Sequence, residues 1–219
     1  MRMRRGETEG VTLIEVVVAT AIMGLVVTAI YAVLQSGIIG WRTGELRFEV
    51  HQNVRVALDR ISRELRESHG SAVLVEPNPL TGSLADDVIL ALKSARKIGD
   101  EKRFVFRADA DCSASVSFDY RPCWQAYIAY FLTEEPSGNG PYVLRRQVIP
   151  LSSPDTTFSS LTGALDPDAA RPVAWKMGNF QAFRNSDGSV DISLEAMGVI
   201  PNLPAQSLQV TLRTAPRNP

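Results

Sequence analysis

LRFEVHQNVRVALDRISREL, residues 46–65, sets Leu46, Val50, Val54, Ala57, Leu58, Ile61 and Leu65 at helical spacing. Steps of three or four residues fall on one face of an α-helix, so the stretch predicts an amphipathic helix whose stripe needs an apolar surface to cover it. Between the stripe positions lie charges: Arg55 with Asp59, Asp59 with Arg63, Arg60 with Glu64 and Arg63 with Glu67 stand four apart. Opposite charges at that spacing meet on the helix surface and add about 0.2–0.5 kcal/mol per pair. These residues, Glu64 among them, are therefore expected on the solvated side. No proline interrupts the chain from Val11 to Ser68, and Gly70 supplies a helix stop.

Upstream, the character changes. From Val16 to Trp41 there is no charged side chain. At about 1.5 Å per residue, Val16 to Leu34 alone crosses most of a hydrocarbon layer of about 30 Å. The basic opening Met1-Arg2-Met3-Arg4-Arg5 is of the kind retained on the cytoplasmic side, which puts everything after Trp41 on the far side of the membrane. Tyr31 and Trp41 read equally as interfacial anchors or as surfaces packed against neighbouring helices, and Gly24, Gly37, Gly40 and Gly44 either soften the helix or allow close helix packing. Glu15 breaks the apolar pattern. An ionised carboxylate near the bilayer centre costs roughly 2.5–3.5 kcal/mol, so it either has a partner or reaches back to the membrane edge.

The residues around it carry a resemblance. Gly10-Val11-Thr12-Leu13-Ile14-Glu15-Val16-Val17-Val18-Ala19 resembles the class III signal sequence of type IV pilins and of type II secretion pseudopilins. The resemblance implies that a prepilin peptidase cuts between Gly10 and Val11 and methylates the new amino terminus. Glu15 then becomes the fifth mature residue. In the family that glutamate pairs with the terminal amine of a neighbouring subunit during assembly. Such a pair has both ions desolvated, so its role is register and recruitment before stability. Val11 stands where the family most often has phenylalanine, a departure that points to a low-copy subunit. Two other readings stay open. A secretory signal peptide would use Ala19-Thr20-Ala21 as its cleavage site, although Glu15 interrupts its core. An uncleaved signal anchor explains the basic flank and the span, but not the pattern from Gly10 to Glu15.

Downstream of Gly70 the periodicity turns strand-like. Ala72–Val75, Val88–Leu92, Phe104–Phe106, Ala126–Leu132, Tyr142–Ile149, Asn179–Phe183, Val190–Leu194 and Ser207–Leu212 are rich in β-formers. Turns are expected at Pro77-Asn78-Pro79, at Ser137-Gly138-Asn139-Gly140-Pro141 and at Asp187-Gly188. Ser152 to Arg171, rich in Ser, Thr, Pro and Asp, reads as an exposed excursion. The expected fold is α+β and pilin-like: a long amino-terminal helix, membrane-spanning in its first half, packed on a carboxy-terminal antiparallel sheet. The domains follow: a cytoplasmic leader over 1–10, a transmembrane half-helix over 11–41, an amphipathic half over 42–69 and a globular domain over 70–219. Within the family, Asn53 to Arg66 resembles the helix end of J-type minor pseudopilins and W-type minor pilins. Tyr130-Phe131-Leu132 followed by Val143-Leu144-Arg145-Arg146 resembles their strand-turn-strand.

Cys112 and Cys123, the only cysteines, flank ten residues. Outside the cytoplasm they are expected to form a disulfide, which on the chain-entropy account contributes on the order of 3 kcal/mol. Asp86-Asp87, Asp109 with Asp111, and Asp166 with Asp168 are candidate oxygen ligands for calcium, but none forms a recognised loop. His51 and His69 are eighteen apart on the helix, wrong for a shared metal site. No phosphate loop, nucleophile elbow, metalloprotease motif or dinucleotide fingerprint is present, so neither enzyme activity nor a cofactor is expected. A net charge of -1 argues against a nucleic-acid partner.

The expected function is structural: a minor pilin or pseudopilin of an initiation or tip complex. Its expected partners are other pilins, the prepilin peptidase, an inner-membrane assembly platform and lipid. The alternatives are a surface-exposed minor pilin that binds DNA or a host surface, which needs a basic or aromatic patch, and a signal-anchored envelope enzyme or binding protein.

Overall fold

In the computed structural model, residues 10–68, 72–81, 87–107, 121–135, 142–153, 158, 160–198 and 205–216 are described. Helix α1 covers Leu13–Glu67, and the chain divides into two compact units, Met1–Glu45 and Leu46–Pro219. In the first unit the helix is long and apolar enough to cross a membrane, and its most apolar window is 0% buried. Tyr31 and Trp41 are both exposed.

In the second unit, α1 buries Leu46, Val50, Val54, Ala57, Leu58, Ile61 and Leu65, the stripe read from spacing. They pack against a seven-stranded antiparallel sheet. Its strands are β1 (Val73–Pro77), β2 (Val88–Ser94), β7 (Ala126–Glu134), β8 (Tyr142–Pro150), β9 (Arg171–Arg184), β10 (Val190–Gly198) and β11 (Gln206–Thr214), adjacent in that order. The fold is therefore α+β, with a long amino-terminal helix on an antiparallel sheet. Between β2 and β7 the chain makes two small two-stranded sheets, β3 (Arg96–Lys97) with β4 (Asp100–Phe104), and β5 (Phe106–Arg107) with β6 (Arg121–Pro122). It then returns so that Leu92 opposes Ile128. Strand β9 also approaches β1 and β2, and Arg184 Nη1 donates to Val73 O at 3.4 Å, so the sheet curls.

Side chains alternate between the two faces of a strand, and here both faces are used. Ile128, Tyr130, Leu132 and Leu144 point to the helix. Tyr127, Ala129 and Phe131 join Ile89, Ala91 and Ile149 in a second core on the opposite face. Burial on both faces explains why AYIAYFLT in β7 reads as an unbroken run. The cover for the second core is the segment expected to be an exposed excursion. Leu161 (0% exposed) and Ala170 are buried there, Phe158 and Leu165 pack on, and Phe158 meets the Tyr127 ring edge-on at 5.4 Å. A sheet face carrying that much apolar surface has to be covered, and a polar composition does not prevent a few apolar residues from doing it.

Other expectations are refined. Phe104–Phe106 is not one strand: Val105 separates β4 from β5 and donates its amide to Ala95 O at 2.8 Å. Asn179–Phe183 lies in the carboxy-terminal half of the fourteen-residue β9. The Asp187-Gly188 turn forms, with Gly188 at φ 81° and its amide donated to Asn185 O at 3.0 Å. Residues 136–141 and Gly70 lie outside the described residues, but the hairpin pairing holds on either side of the first, from Glu134↔Tyr142 to Ala126↔Pro150.

Truncation in the stripe tests the helix–sheet core. Ile61→Ala, at a fully buried position, is expected to cost about 2–5 kcal/mol. Val56→Ala, on the exposed face, is expected to stay within about 0.5 kcal/mol. Urea unfolding of the full chain in mild detergent, followed by tryptophan fluorescence, measures both.

Candidate functional site: the amino-terminal turn and a buried glutamate

Gly10, Val11 and Thr12 precede the helix and have no regular structure, and Val11 is 73% exposed. A side chain added at Gly10 would meet nothing within 4 Å. The peptide bond expected to be cut is thus open. Helix α1 begins immediately after it, and its first amides lack intrahelical acceptors. Glu15 is used for one of them. Its Oε2 lies 3.4 Å from the Thr12 amide and 3.4 Å from Thr12 Oγ1. Thr12-x-x-Glu15 has the spacing of a capping box, a signal legible in the sequence. Among the described residues Glu15 has no ion pair.

The second acid is Glu64, expected on the solvated face and found 6% exposed. Its turn of the helix is held against β7 and β8, where Tyr130 and Arg146 are cross-strand partners. Tyr130 Oη donates to Glu64 Oε2 at 2.6 Å, and Arg146 Nε donates to Oε1 at 3.0 Å and Oε2 at 3.2 Å. Arg146 is itself 3% exposed and sends Nη1 to Glu101 Oε1 at 3.0 Å. Arg60 remains within 3.7 Å of Glu64, so the surface pair read from spacing forms as well, as a minor contact. Glu67 turns to Arg96, which donates from Nε at 2.8 Å and Nη2 at 2.7 Å. The Arg63 partner is Asp59, at 2.6 Å.

Burial pushes the Tyr130 phenol well above its ordinary range, and the Glu64 carboxylate against it pushes the same way. For Arg146, burial alone would lower the guanidinium, but Glu64, Tyr130 and Glu101 outweigh it and hold the proton more firmly. The signal for this cluster was available. Arg146 shares a strand face with Tyr142, Leu144 and Val148, and Glu64 is three residues past Ile61 on the stripe side. Two opposite charges in two apolar rows belong together.

The remaining candidate residues fall in separate places. Cys123 is disulfide-bonded; Cys112, its expected partner, lies outside the described residues, as do Asp86, Asp109, Asp111 and His69. Asp87, one of the candidate calcium ligands, is 2% exposed. Its Oδ2 accepts Asn78 Nδ2 at 2.6 Å and Thr81 Oγ1 at 2.7 Å, and burial raises its pKa against those bonds. Asp166 Oδ1 accepts the amides of Asp168 at 3.0 Å and Ala169 at 3.3 Å. Both acids are engaged in closing turns. Among the described residues, no three His, Cys, Asp or Glu side chains converge as a metal site would require.

No family model, curated protein or solved structure matches the chain.

Removing one partner of the buried pair leaves the other charge unpaired. Arg146→Ala is expected to cost about 3–5 kcal/mol, whereas Arg63→Ala, which breaks an exposed pair, is expected to cost at most about 1 kcal/mol; denaturant midpoints separate the two. The phenol gives a second readout. Because folded Tyr130 holds its proton more tightly than the unfolded chain does, its contribution is complete below about pH 10 and is lost as pH rises beyond that. Tyr130→Phe should therefore lower Tm at pH 7 but flatten its decline between about pH 9 and 11, by thermal scans in matched buffers.

Proposed function

We propose that this chain is a non-catalytic subunit of a type IV filament assembly, a minor pilin or pseudopilin anchored in the inner membrane with its sheet domain outside the cytoplasm. The observation that carries the reading is Glu15, a lone acid four residues into an otherwise charge-free span that follows the open Gly10–Val11 bond. Support comes also from exposure. Leu13, Val17, Ile22, Leu25, Ile30 and Leu34 are all uncovered within the chain, an apolar surface that calls for lipid or for other helices of the same kind.

On this reading a prepilin peptidase cleaves after Gly10, and the amine left on Val11 stays positively charged after methylation. An incoming subunit releases Glu15 from Thr12 and sets it against that amine on its neighbour, where the poorly hydrated surroundings strengthen the attraction. The partners are other pilins, the peptidase and the assembly platform in the membrane. Val11 in the first mature position, and the likeness of Asn53–Arg66 and of the Tyr130–Arg146 hairpin to minor subunits, favour a place in the initiation or tip complex. The two likenesses are joined physically, since Glu64 of the first is gripped by Tyr130 and Arg146 of the second.

Mass spectrometry of the amino terminus and filament incorporation together test the proposal. The expected product starts at methylated Val11, and Glu15→Ala is expected to be processed normally yet excluded from the polymer. A mature protein retaining Met1 would instead indicate a signal-anchored envelope protein. Undiminished incorporation of processed Glu15→Ala would remove the basis of the assembly role.

A further inference from the structure

Beyond the Tyr130–Arg146 pair, the next two pairs of the ladder on the same face are Ile128↔Val148 and Ala126↔Pro150. Ala126 and Ile128 are buried there, each 2% exposed, while Val148 and Pro150 on β8 form the accessible part of an apolar floor that no α1 residue lines. The β3–β4 hairpin arches beside them, turning at Gly99 with φ 85°, and the space enclosed is a cavity of about 320 Å³. Arg96, Lys97, Arg146 and Arg171 line it together with one acid, Glu101. Across Arg96 and Glu101 it adjoins a wider groove along α1, where Arg55, Arg60, Arg63 and Arg96 face Asp59, Glu64 and Glu101. Cations outnumber carboxylates in both, in a chain whose net charge is -1.

The cations are not equally engaged. Arg96 and Arg146 are committed to Glu67, Glu64 and Glu101. Lys97 and Arg171 at the cavity, and Arg55 in the groove, have no ion-pair or hydrogen-bond partner among the described residues. Ile98, at the hairpin tip, leaves its side chain 48% exposed above the cavity. A concave apolar floor rimmed by uncompensated positive charge asks for an occupant that is apolar in the middle and acidic at its flanks.

We propose that this cavity docks an acidic polypeptide segment of a partner protein, one apolar side chain seated on the floor and the flanking carboxylates held by Lys97 and Arg171. The length of the floor favours a peptide over a lipid tail, because two ladder positions span only about 7 Å along a strand. The aromatic content favours it over nucleic acid. Among the described residues no aromatic side chain lines the cavity, so it offers no ring for base stacking. This docking does not require the filament role, and it is measured without assembly.

The test uses the full chain in nanodiscs of neutral phosphatidylcholine. A fluorescein-labelled octapeptide of alternating glutamate and leucine serves as probe, and its glutamine–leucine counterpart as control, both read by fluorescence anisotropy. The acidic peptide is expected to bind and the glutamine peptide to bind at least about tenfold more weakly. The double variant Lys97→Glu/Arg171→Glu is expected to weaken binding of the acidic peptide about tenfold or more, and Ile98→Ser to weaken it without changing Tm. The variant Arg42→Glu/Arg66→Glu, with the same change in net charge at exposed helix positions outside the cavity lining, is expected to leave it unchanged. Equal binding of both peptides, or no effect of Lys97→Glu/Arg171→Glu, overturns the proposal. So does displacement of the peptide by an equimolar thymidine oligonucleotide or by phosphatidylglycerol in the disc, which would assign the groove to nucleic acid or to lipid.

Discussion

The globular unit is organised around one carboxylate taken out of water. Glu64 reaches the sheet through two hydrogen-bond donors on neighbouring strands, Tyr130 on β7 and Arg146 on β8, and all three side chains are almost fully enclosed. Isolated, any of these polar groups would be costly to bury; together, each satisfies another. The arrangement has a directional effect that apolar packing lacks. Leu46 to Leu65 could slide along a greasy sheet face with modest loss, but a forked guanidinium fixes the carboxylate in position and in angle. It sets where the last turns of α1 sit, and through Glu101 and Arg96 it also ties in the β3–β4 hairpin.

From that anchor the two cores follow. On the helix side the stripe meets β7, β8, β9 and β10, whose alternating positions point inward. On the other side Phe158, Leu161 and Leu165 close over Tyr127 and Phe131. The domain is layered: helix, sheet, then an irregular cover over part of the far face. The strands at the middle are apolar on both faces, while β11 at the edge alternates between half-buried and exposed residues.

Much of this was legible in the amino acids, and the misses have physical causes. Periodicity located every buried apolar residue of the helical stripe, because a long amphipathic helix repeats one simple rule many times. Strand positions were found where β-branched and aromatic residues cluster, and were cut short in β9, where Pro172, Lys176 and Gly178 interrupt the pattern. The cover segment was misjudged because its polar composition conceals a handful of apolar residues whose partners are remote in sequence. Glu64 was placed outside for a different reason. Local charge spacing assigned it to Arg60, and only a long-range neighbour, Arg146, could reverse that assignment. Capping at Thr12 was readable in the Thr12-x-x-Glu15 spacing, but the same glutamate is also the acid of the span.

The hold of Thr12 on Glu15 is loose, at 3.4 Å to each donor. On the proposed role, a subunit waiting in lipid would hold this carboxylate in two long hydrogen bonds and would lose little in giving them up. If the same oxygen is handed to an amine on another chain, the exchange begins from a contact already half made and ends in one that is fully ionic. The polymer would then grow by trading partners at a fixed set of acids, a currency that passes from subunit to subunit and lets the same joint open again when the fibre is taken apart.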